Sequence, residues 1–327
     1  PQMLDTAWTS MVKRYGFTPT QPVGVEMYAD PQHFSIRTSG LPNVGIQGVC
    51  FGKTLAALSP SAGSFNWGMV VWHELGHVFH IQQSKNRVPR WFTEGLAEYE
   101  TIIVRPEWKR EEEISLFHGL RDNKIPKVAS FNTAFTHAES GADITMAYYT
   151  ASQILVFIAN KYGFDKVVAH LKGWAEGKAT PEIVQQVLGI SAAELDTQFH
   201  AWLKPRLAIY AKQFVPDLRP PKSLDEARKA VADNPKDSTK LVKLALALLD
   251  NGKKGEAFAT LQLALSVNPK DPNALFIQVK IALAKRDLKG AKKILMRLIA
   301  NGHDGYAVRM KLADLAELSI VVDSDHM

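Results

Sequence analysis

The segment from His73 to His77 constrains this chain most, because its five residues read His-Glu-Leu-Gly-His. On an α-helix His73 and His77 lie one turn apart on the same face, so both imidazoles can reach a single Zn²⁺. Glu74 lies beside them, where its carboxylate can accept a proton from a metal-bound water. A buried helix with two hydrogen-bonded histidines is the alternative interpretation. Apolar residues at helical spacing supply the buried side of the predicted helix: Val70, Val71, Leu75, Val78 and Phe79.

A catalytic zinc site needs three protein ligands, so the residues after His77 decide which class of site is possible. Metzincins place glycine at position 80 and histidine at position 83 of such a chain. This chain has His80 and Gln83 there, which excludes that class. His80 is expected either to contact the metal-binding residues without binding the metal itself or to lie at the surface.

The third ligand is predicted on a second helix that follows a polar turn. Pro89 and Thr93 are suitable residues for the start of this helix. Glu94 and Glu98 are four positions apart and therefore share one of its faces.

Together these two segments resemble the gluzincin metallopeptidases, the group that contains thermolysin and the zinc aminopeptidases. The nearest likeness is to a bacterial branch with a compact peptidase MA-like domain, in which Trp-x-x-Glu-Gly-x-Ala follows the His-Glu-x-x-His motif. Residues 91–97 match that second motif at every specified position. The resemblance implies that Glu94 is the third ligand of one Zn²⁺ per chain. It also implies that Glu98 hydrogen-bonds a liganding histidine.

Upstream residues are predicted to form a small sheet beside the zinc helix. Residues 23–28 and 44–58 have the composition of strands, and glycines in the second run mark bends. The resemblance implies an edge strand that binds the substrate backbone, and Gly48, Val49 and Cys50 are its candidate residues. The Gly-Ala-Met-Glu-Asn motif that holds a free amino terminus in the aminopeptidases is absent, which favours an endopeptidase.

A pair of tyrosines supplies the candidates for stabilising an oxyanion. An apolar helical run is predicted to begin at Ala147 and to end at Tyr162. The resemblance implies a tyrosine at the start of this helix, which indicates Tyr148, with Tyr149 as the neighbouring alternative. His137, in the preceding loop, is a further candidate donor. The competing interpretation is that both aromatic residues only anchor the helix in the core.

The resemblance ends at Leu203, and the chain then changes character. Residues 216–222 contain three prolines and are predicted to form a stiff linker. We therefore predict a peptidase-like domain over residues 1–215 and a second domain over residues 223–327.

The second domain contains an internal repeat. Asn-Pro-Lys-Asp at residues 234–237 recurs 34 positions later at residues 268–271. The pattern resembles the tetratricopeptide repeat, which implies an α-solenoid whose concave face binds a protein partner. An unrelated helical extension is the alternative. Small and apolar residues recur in the same register, as in Leu241 and Leu275, Ala257 and Ala291, and Leu261 and Leu295.

The formal net charge of +6 does not indicate a nucleic-acid partner. From Lys222 onward there are 18 basic and 13 acidic residues, so most of the excess lies on the predicted repeats. Charges of both signs are interspersed there without an aromatic platform, as on a solvated helical surface. No apolar run approaches the roughly 18 residues that a membrane span requires.

The composition does not indicate the cellular compartment of the protein. The single cysteine, Cys50, excludes an internal disulfide framework but is compatible with either redox environment. No segment resembles a targeting signal, and the resemblance to a bacterial branch favours an extracytoplasmic location.

The sequence thus predicts an α+β protein: a mainly helical gluzincin-like domain with a small N-terminal sheet, followed by an α-solenoid. The predicted activity is zinc-dependent hydrolysis of a peptide or protein substrate, with Glu74 as general base. An aminopeptidase is one alternative, and a scaffold protein with an inactive or structural zinc domain is another. Glu74 argues against the scaffold, since a structural site has no use for a base beside the metal.

Overall fold

A computed structural model describes residues 2–63, 65–109, 112–138 and 141–324. The chain divides into two compact units, Pro1–Lys204 and Pro205–Met327. The first unit combines many helices with one small sheet, so the predicted α+β class is confirmed. None of the described helices combines the length and the apolar character needed to cross a membrane.

The first unit is built from helices α1–α9, all but the last three residues of α10, and strands β1–β3. In chain order they are α1 (Gln2–Tyr15), β1 (Gly24–Tyr28), α2 (Pro31–Ser39), β2 (Gly48–Cys50), β3 (Thr54–Leu58), α3 (Trp67–Gln83), α4 (Arg90–Val104), α5 (Glu112–Arg121), α6 (Thr133–Thr136), α7 (Gly141–Tyr162), α8 (Phe164–Ala175), α9 (Thr180–Leu188) and α10 (Ala192–Leu207).

The three strands form one mixed sheet in the order β1-β3-β2. β1 pairs with β3 in parallel, whereas β2 pairs with β3 antiparallel. A turn through Gly52, at a φ of 82° that favours glycine, separates β2 from β3. One face of the sheet packs against α2 through Phe34, and the other packs against α3 through Val70. The sheet therefore fixes the position of α3.

Helix α7 begins earlier than the sequence indicated. It starts at Gly141 rather than Ala147, so Tyr148 lies in its second turn and not at its start. Asp143 lies in the first turn, where its negative charge interacts favourably with the positive end of the helix dipole. Met146 packs against Gly119 of α5. A methyl group added to Gly119 would lie only 2.6 Å from the sulfur of Met146. This packing is a tertiary contact and leaves no local signal in the sequence.

The second unit contains a series of helices of similar length. α12 and α14 begin at Ser238 and Pro272, and α13 and α15 begin at Lys254 and Leu288, so both pairs repeat after 34 residues. Within the series each helix contacts the next along the chain. Its members are α11 (Leu224–Asp233), α12 (Ser238–Asp250), α13 (Lys254–Val267), α14 (Pro272–Ala284), α15 (Leu288–Ala300) and α16 (Tyr306–Ser324).

Residues 213–223, between a short 3-10 helix (Ala208–Lys212) and α11, contain no helix or strand but are held by the second unit. Phe214 N donates to Asp304 O at 3.0 Å, and Asp217 N donates to Asn273 Oδ1 at 2.9 Å. These contacts explain why the division between the units precedes the linker predicted at residues 216–222.

Candidate metal centre

Two histidines of α3 define the candidate metal centre. The helix begins after Asn66, whose side chain accepts a hydrogen bond from Met69 N at 3.1 Å. Its apolar residues are buried, and His73 and His77 lie together on one face, as their spacing requires. Their Nε2 atoms are 3.2 Å apart. The two rings therefore converge on one point.

A carboxylate from α4 reaches the same point. Pro89 has extended backbone geometry and precedes the helix, which begins at Arg90. One turn later, Glu94 Oε2 lies 3.5 Å from His73 Nε2 and 3.4 Å from His77 Nε2.

These three atoms have the spacing of ligands around one zinc ion. Tetrahedral bonds of about 2.0–2.1 Å place neighbouring ligand atoms about 3.3–3.4 Å apart. The observed separations of 3.2, 3.4 and 3.5 Å agree with that value. His73, His77 and Glu94 are also the group of potential ligands found together in the part of the chain that the structure describes. The residues therefore fit Zn²⁺.

Small residues allow the helices to approach closely enough for this arrangement. A methyl group on Gly76 of α3 would lie 3.6 Å from the Cα atom of Ala97 in α4. On Gly95 it would lie 2.7 Å from the carbonyl carbon of Ala151 in α7, which is closer than real side chains tolerate. Glycine at position 95 thus lets α4 contact α7 directly beside Glu94.

Each imidazole is held at its other nitrogen. His73 Nδ1 lies 3.1 Å from Glu98 Oε1, and His77 Nδ1 lies 2.8 Å from Thr93 Oγ1. Because a carboxylate only accepts, the Nδ1–H of His73 is the donor to Glu98, and its Nε2 faces Glu94. The sequence suggested Thr93 only as a helix-start residue. The only feature of the sequence that pointed to its contact with His77 is that Thr93 directly precedes Glu94.

His80 lies behind this group in the interior. It is fully buried, and its Nε2 is 2.9 Å from the hydroxyl of Tyr15 while its Nδ1 is 3.3 Å from Thr93 Oγ1. Burial, followed by the charge of His77, lowers the pKa of His80, so its ring is neutral. His80 therefore supports Thr93 rather than joining the three ligand atoms.

Glu94 and His73 shift each other's pKa values. Burial acts to raise the pKa of Glu94, but the hydrogen bonds from His73 and His77 outweigh it and hold the pKa below its usual range. Burial acts to lower the pKa of His73, whereas Glu94 and Glu98 outweigh it and raise the pKa to about 10. Glu94 is therefore a carboxylate, and a metal ion bound here would displace a proton from His73.

Glu74 lies on the side of α3 that faces the sheet. It is 6% exposed, and burial raises its pKa although His77 and His73 act in the opposite direction. A carboxylate with a raised pKa is suited to accept a proton near neutral pH. A methyl group on Gly48 of β2 would lie 2.6 Å from both Cγ and Oε1 of Glu74. Only glycine leaves room for the carboxylate at this place.

One of the candidate oxyanion donors lies beside the candidate metal ligand Glu94. Arg90 donates to the hydroxyl of Tyr148 at 3.4 Å, and Arg90 Nε lies 3.4 Å from Glu94 Oε1. Burial, followed by the charge of Glu94, raises the pKa of Tyr148 to about 12, so its hydroxyl stays protonated. Tyr149 is buried in the core, and His137 lies on the exposed surface.

β2, which was predicted to bind the substrate, is the edge strand of the sheet beside Glu74. Its residues Gly48, Val49 and Cys50 are half-buried. Val49 packs on the face covered by α2. Burial raises the pKa of the Cys50 thiol to about 12, so this side chain is an apolar wall and not a nucleophile.

The sequence of the first unit also matches a known family. A family model described as Peptidase MA superfamily matches residues 5–205, more than half of the chain. The chain belongs to the Peptidase MA superfamily. No curated protein and no solved structure matches it.

The Peptidase MA match and the compact first unit cover nearly the same residues. The match ends at residue 205, and the unit ends at Lys204. His73, His77 and Glu94 all lie inside it, which agrees with a metallopeptidase-type domain. The helices of the second unit lie outside the match.

Proposed function

We propose that the first unit is a zinc-dependent peptidase of the gluzincin type, with one Zn²⁺ held by His73, His77 and Glu94. The observation that carries the proposal is the separation of 3.2–3.5 Å among the three ligand atoms. Glu74 follows His73 in the chain and is buried, as a base beside the metal should be.

The chemistry follows from these positions. A bound Zn²⁺ supplies a Lewis acid that polarises the scissile carbonyl and lowers the pKa of water. Glu74 accepts the proton of the attacking water and passes it to the leaving amine. Its raised pKa suits both steps, because the same group must take up a proton and release it. Glu98 and Thr93 keep the two imidazole rings in position.

Tyr148 is the proposed oxyanion donor. It is protonated and near Glu94, and Arg90 donates to its hydroxyl oxygen at 3.4 Å. A donor of this kind acts mainly in the transition state, when negative charge develops on the carbonyl oxygen.

We expect Tyr148→Phe to lower kcat by about 10²- to 10³-fold with little change in KM, because the variant keeps the ring and loses only the donor. The measurement is steady-state hydrolysis of a peptide that the parent cleaves. Tyr149→Phe is the matched control and should keep near-parent kcat, since that ring lies in the core. A defect confined to Tyr149→Phe would move the assignment by one residue, and no defect in either would favour His137.

We expect Gly48→Ala to lower kcat by about 10- to 100-fold while zinc stays bound, because the methyl group displaces Glu74 but none of the ligands. Gly45→Ala is the control, since nothing lies within 4 Å of a methyl group there. The same methyl group at position 48 would lie 2.8 Å from Val70 Cγ1. Full recovery of kcat in Gly48→Ala combined with Val70→Ala would show that Val70, and not Glu74, causes the defect.

An endopeptidase is the favoured form of this activity. The motif that binds a free amino terminus in the aminopeptidases is missing from the sequence. An edge strand beside Glu74 supports binding of an extended segment within a longer peptide or protein.

For the second unit we propose a tetratricopeptide-repeat solenoid that recruits a protein partner or a folded substrate. The support is the 34-residue recurrence of α12 and α13 as α14 and α15. Asp237 and Asp271 occupy the same place in the two repeats and cap α12 and α14 with their carboxylates.

The activity is tested by zinc content together with cleavage of casein, an unfolded protein. One zinc per chain, and cleavage that a chelator stops and added Zn²⁺ restores, is the expected result. One zinc per chain without cleavage of casein or of any peptide pool would favour the alternative, a scaffold protein with a structural zinc domain.

A further inference from the structure

β2 starts at Gly48, beside Glu74, and runs away from it with one edge unpaired by another strand of the sheet. Phe51 N donates to Thr54 O at 2.8 Å, which turns the backbone of residue 51 toward β3. In an antiparallel pair this orientation alternates, so Val49 also faces β3 while Gly48 and Cys50 turn their N–H and C=O groups outward. β2 is the last strand of the sheet, and these outward groups can pair with an added strand.

β2 runs alongside α3 from the proposed base to the end of the helix. Gly48 lies over Glu74, and a methyl group on Gly52 would lie 2.9 Å from Ile81 Cγ2. Gln82 Nε2 donates to Gly52 O at 2.8 Å and fixes this end. The seven residues from Glu74 to Ile81 span about 10 Å of helix. An extended peptide covers that distance in about three residues.

An open cleft of about 530 Å³ lies at this end, between the turn after β2 and the end of α3. Lys53 from the turn after β2 and Lys85 from the residues after α3 both line it, and none of its lining residues is acidic. Phe51 and Ile81 add apolar wall. Glu176 is an acidic residue close enough to Lys85 for their charges to interact. Its ion pair is with Lys178, at 2.7 Å.

We propose that this cleft binds an acidic side chain of the substrate, located three residues from the bond that is cleaved. Two ammonium groups attract a carboxylate, and the apolar wall accommodates the methylene groups of a glutamate. Antiparallel pairing is the more stable of the two strand arrangements, and it places this residue on the N-terminal side of the cleaved bond. The inference rests on the proposed function, because the position is counted from Glu74.

The test uses the full chain and a peptide series built around a cleavage site mapped by mass spectrometry in casein. The third residue on the N-terminal side is Glu, Gln or Lys, and the rest of the peptide is constant. We expect kcat/KM to be about 3- to 10-fold higher for Glu than for Gln, and lower again for Lys. The difference should shrink at high salt, because both lysines are exposed.

Charge reversal gives the sharper result. In Lys53→Glu combined with Lys85→Glu the order should invert, with Lys the best and Glu the poorest residue at that position. Lys172→Glu changes an exposed lysine of α8 that does not line the cleft, and it should leave the order unchanged. Lys53→Gln and Lys85→Gln remove single charges and should each weaken the preference. A flat series in the parent, or an unchanged preference in the reversed variant, would overturn the proposal.

A binding measurement separates this inference from the proposed activity. Fluorescent peptides of one constant extended sequence, with Glu, Gln or Lys at a single position and chosen whether or not the parent cleaves them, are titrated into zinc-loaded Glu74→Gln protein, which the mechanism predicts to be nearly inactive. Tighter binding of the Glu peptide supports the cleft even if the parent cleaves nothing, in which case only the proposed activity fails. Equal binding of all three peptides, in a protein whose parent does cleave them, overturns the cleft alone.

Discussion

Replacing Glu74 by glutamine is expected to reduce turnover by about 10²- to 10⁴-fold while zinc binding and the fold are retained. Glutamine has nearly the same shape but cannot accept a proton from water. Glu74 is buried and is not one of the three ligand atoms, so a neutral amide should be tolerated there. The measurements are kcat on a peptide that the parent cleaves, zinc per chain and the unfolding temperature.

Glu98→Gln is the matched control for this variant. It makes the same chemical change in a second buried carboxylate of the site, one that contacts His73 and not the reacting water. As an orienting residue it should cost about 10- to 100-fold in metal affinity or rate. If Glu74→Gln kept near-parent activity, Glu74 would not be the base, and the proposed mechanism would be wrong.

The helices that carry the candidate metal centre were predictable because their information is local. Two histidines four residues apart share a helix face whatever the rest of the chain does. The same holds for Glu94 and Glu98 on α4, and the structure places both carboxylates against His73. The strands of the small sheet were predictable for a similar reason, since they are short β-forming runs, with a turn through Gly52 between β2 and β3.

What the sequence left open depends on contacts between distant segments. Tyr148 and Tyr149 are adjacent and chemically alike, and only the packing of α7 against α4 decides which one reaches Arg90. The contact of Gly48 with Glu74 joins a strand to a helix 26 positions away, and glycine itself carries no sign of its neighbour. Thr93 was missed as a hydrogen-bond partner of His77 because hydroxyl residues near a helix start are usually caps.

Removal of the Glu94 carboxylate is expected to have the largest effect on metal content. We expect Glu94→Ala to weaken zinc binding by more than the roughly 10- to 100-fold predicted for Glu98→Gln, because it deletes one of three ligands. His73→Ala and His77→Ala should behave alike, since each also removes one ligand atom. Zinc per chain after dialysis, and competition with a chelator of known affinity, measure the effect.

The Glu94→Ala result also decides between the two carboxylates of α4. Glu94 Oε2 lies 3.5 and 3.4 Å from the two Nε2 atoms, whereas Glu98 contacts the opposite nitrogen of His73. A ring nitrogen cannot bind a metal ion and donate its proton to a carboxylate at once, so the two glutamates have distinct roles in the proposed centre. Full zinc occupancy in Glu94→Ala would mean that the His73 ring turns over and that Glu98 is the third ligand. Zinc loss in Glu94→Ala together with partial retention in Glu98→Gln is the pattern that the observed geometry predicts.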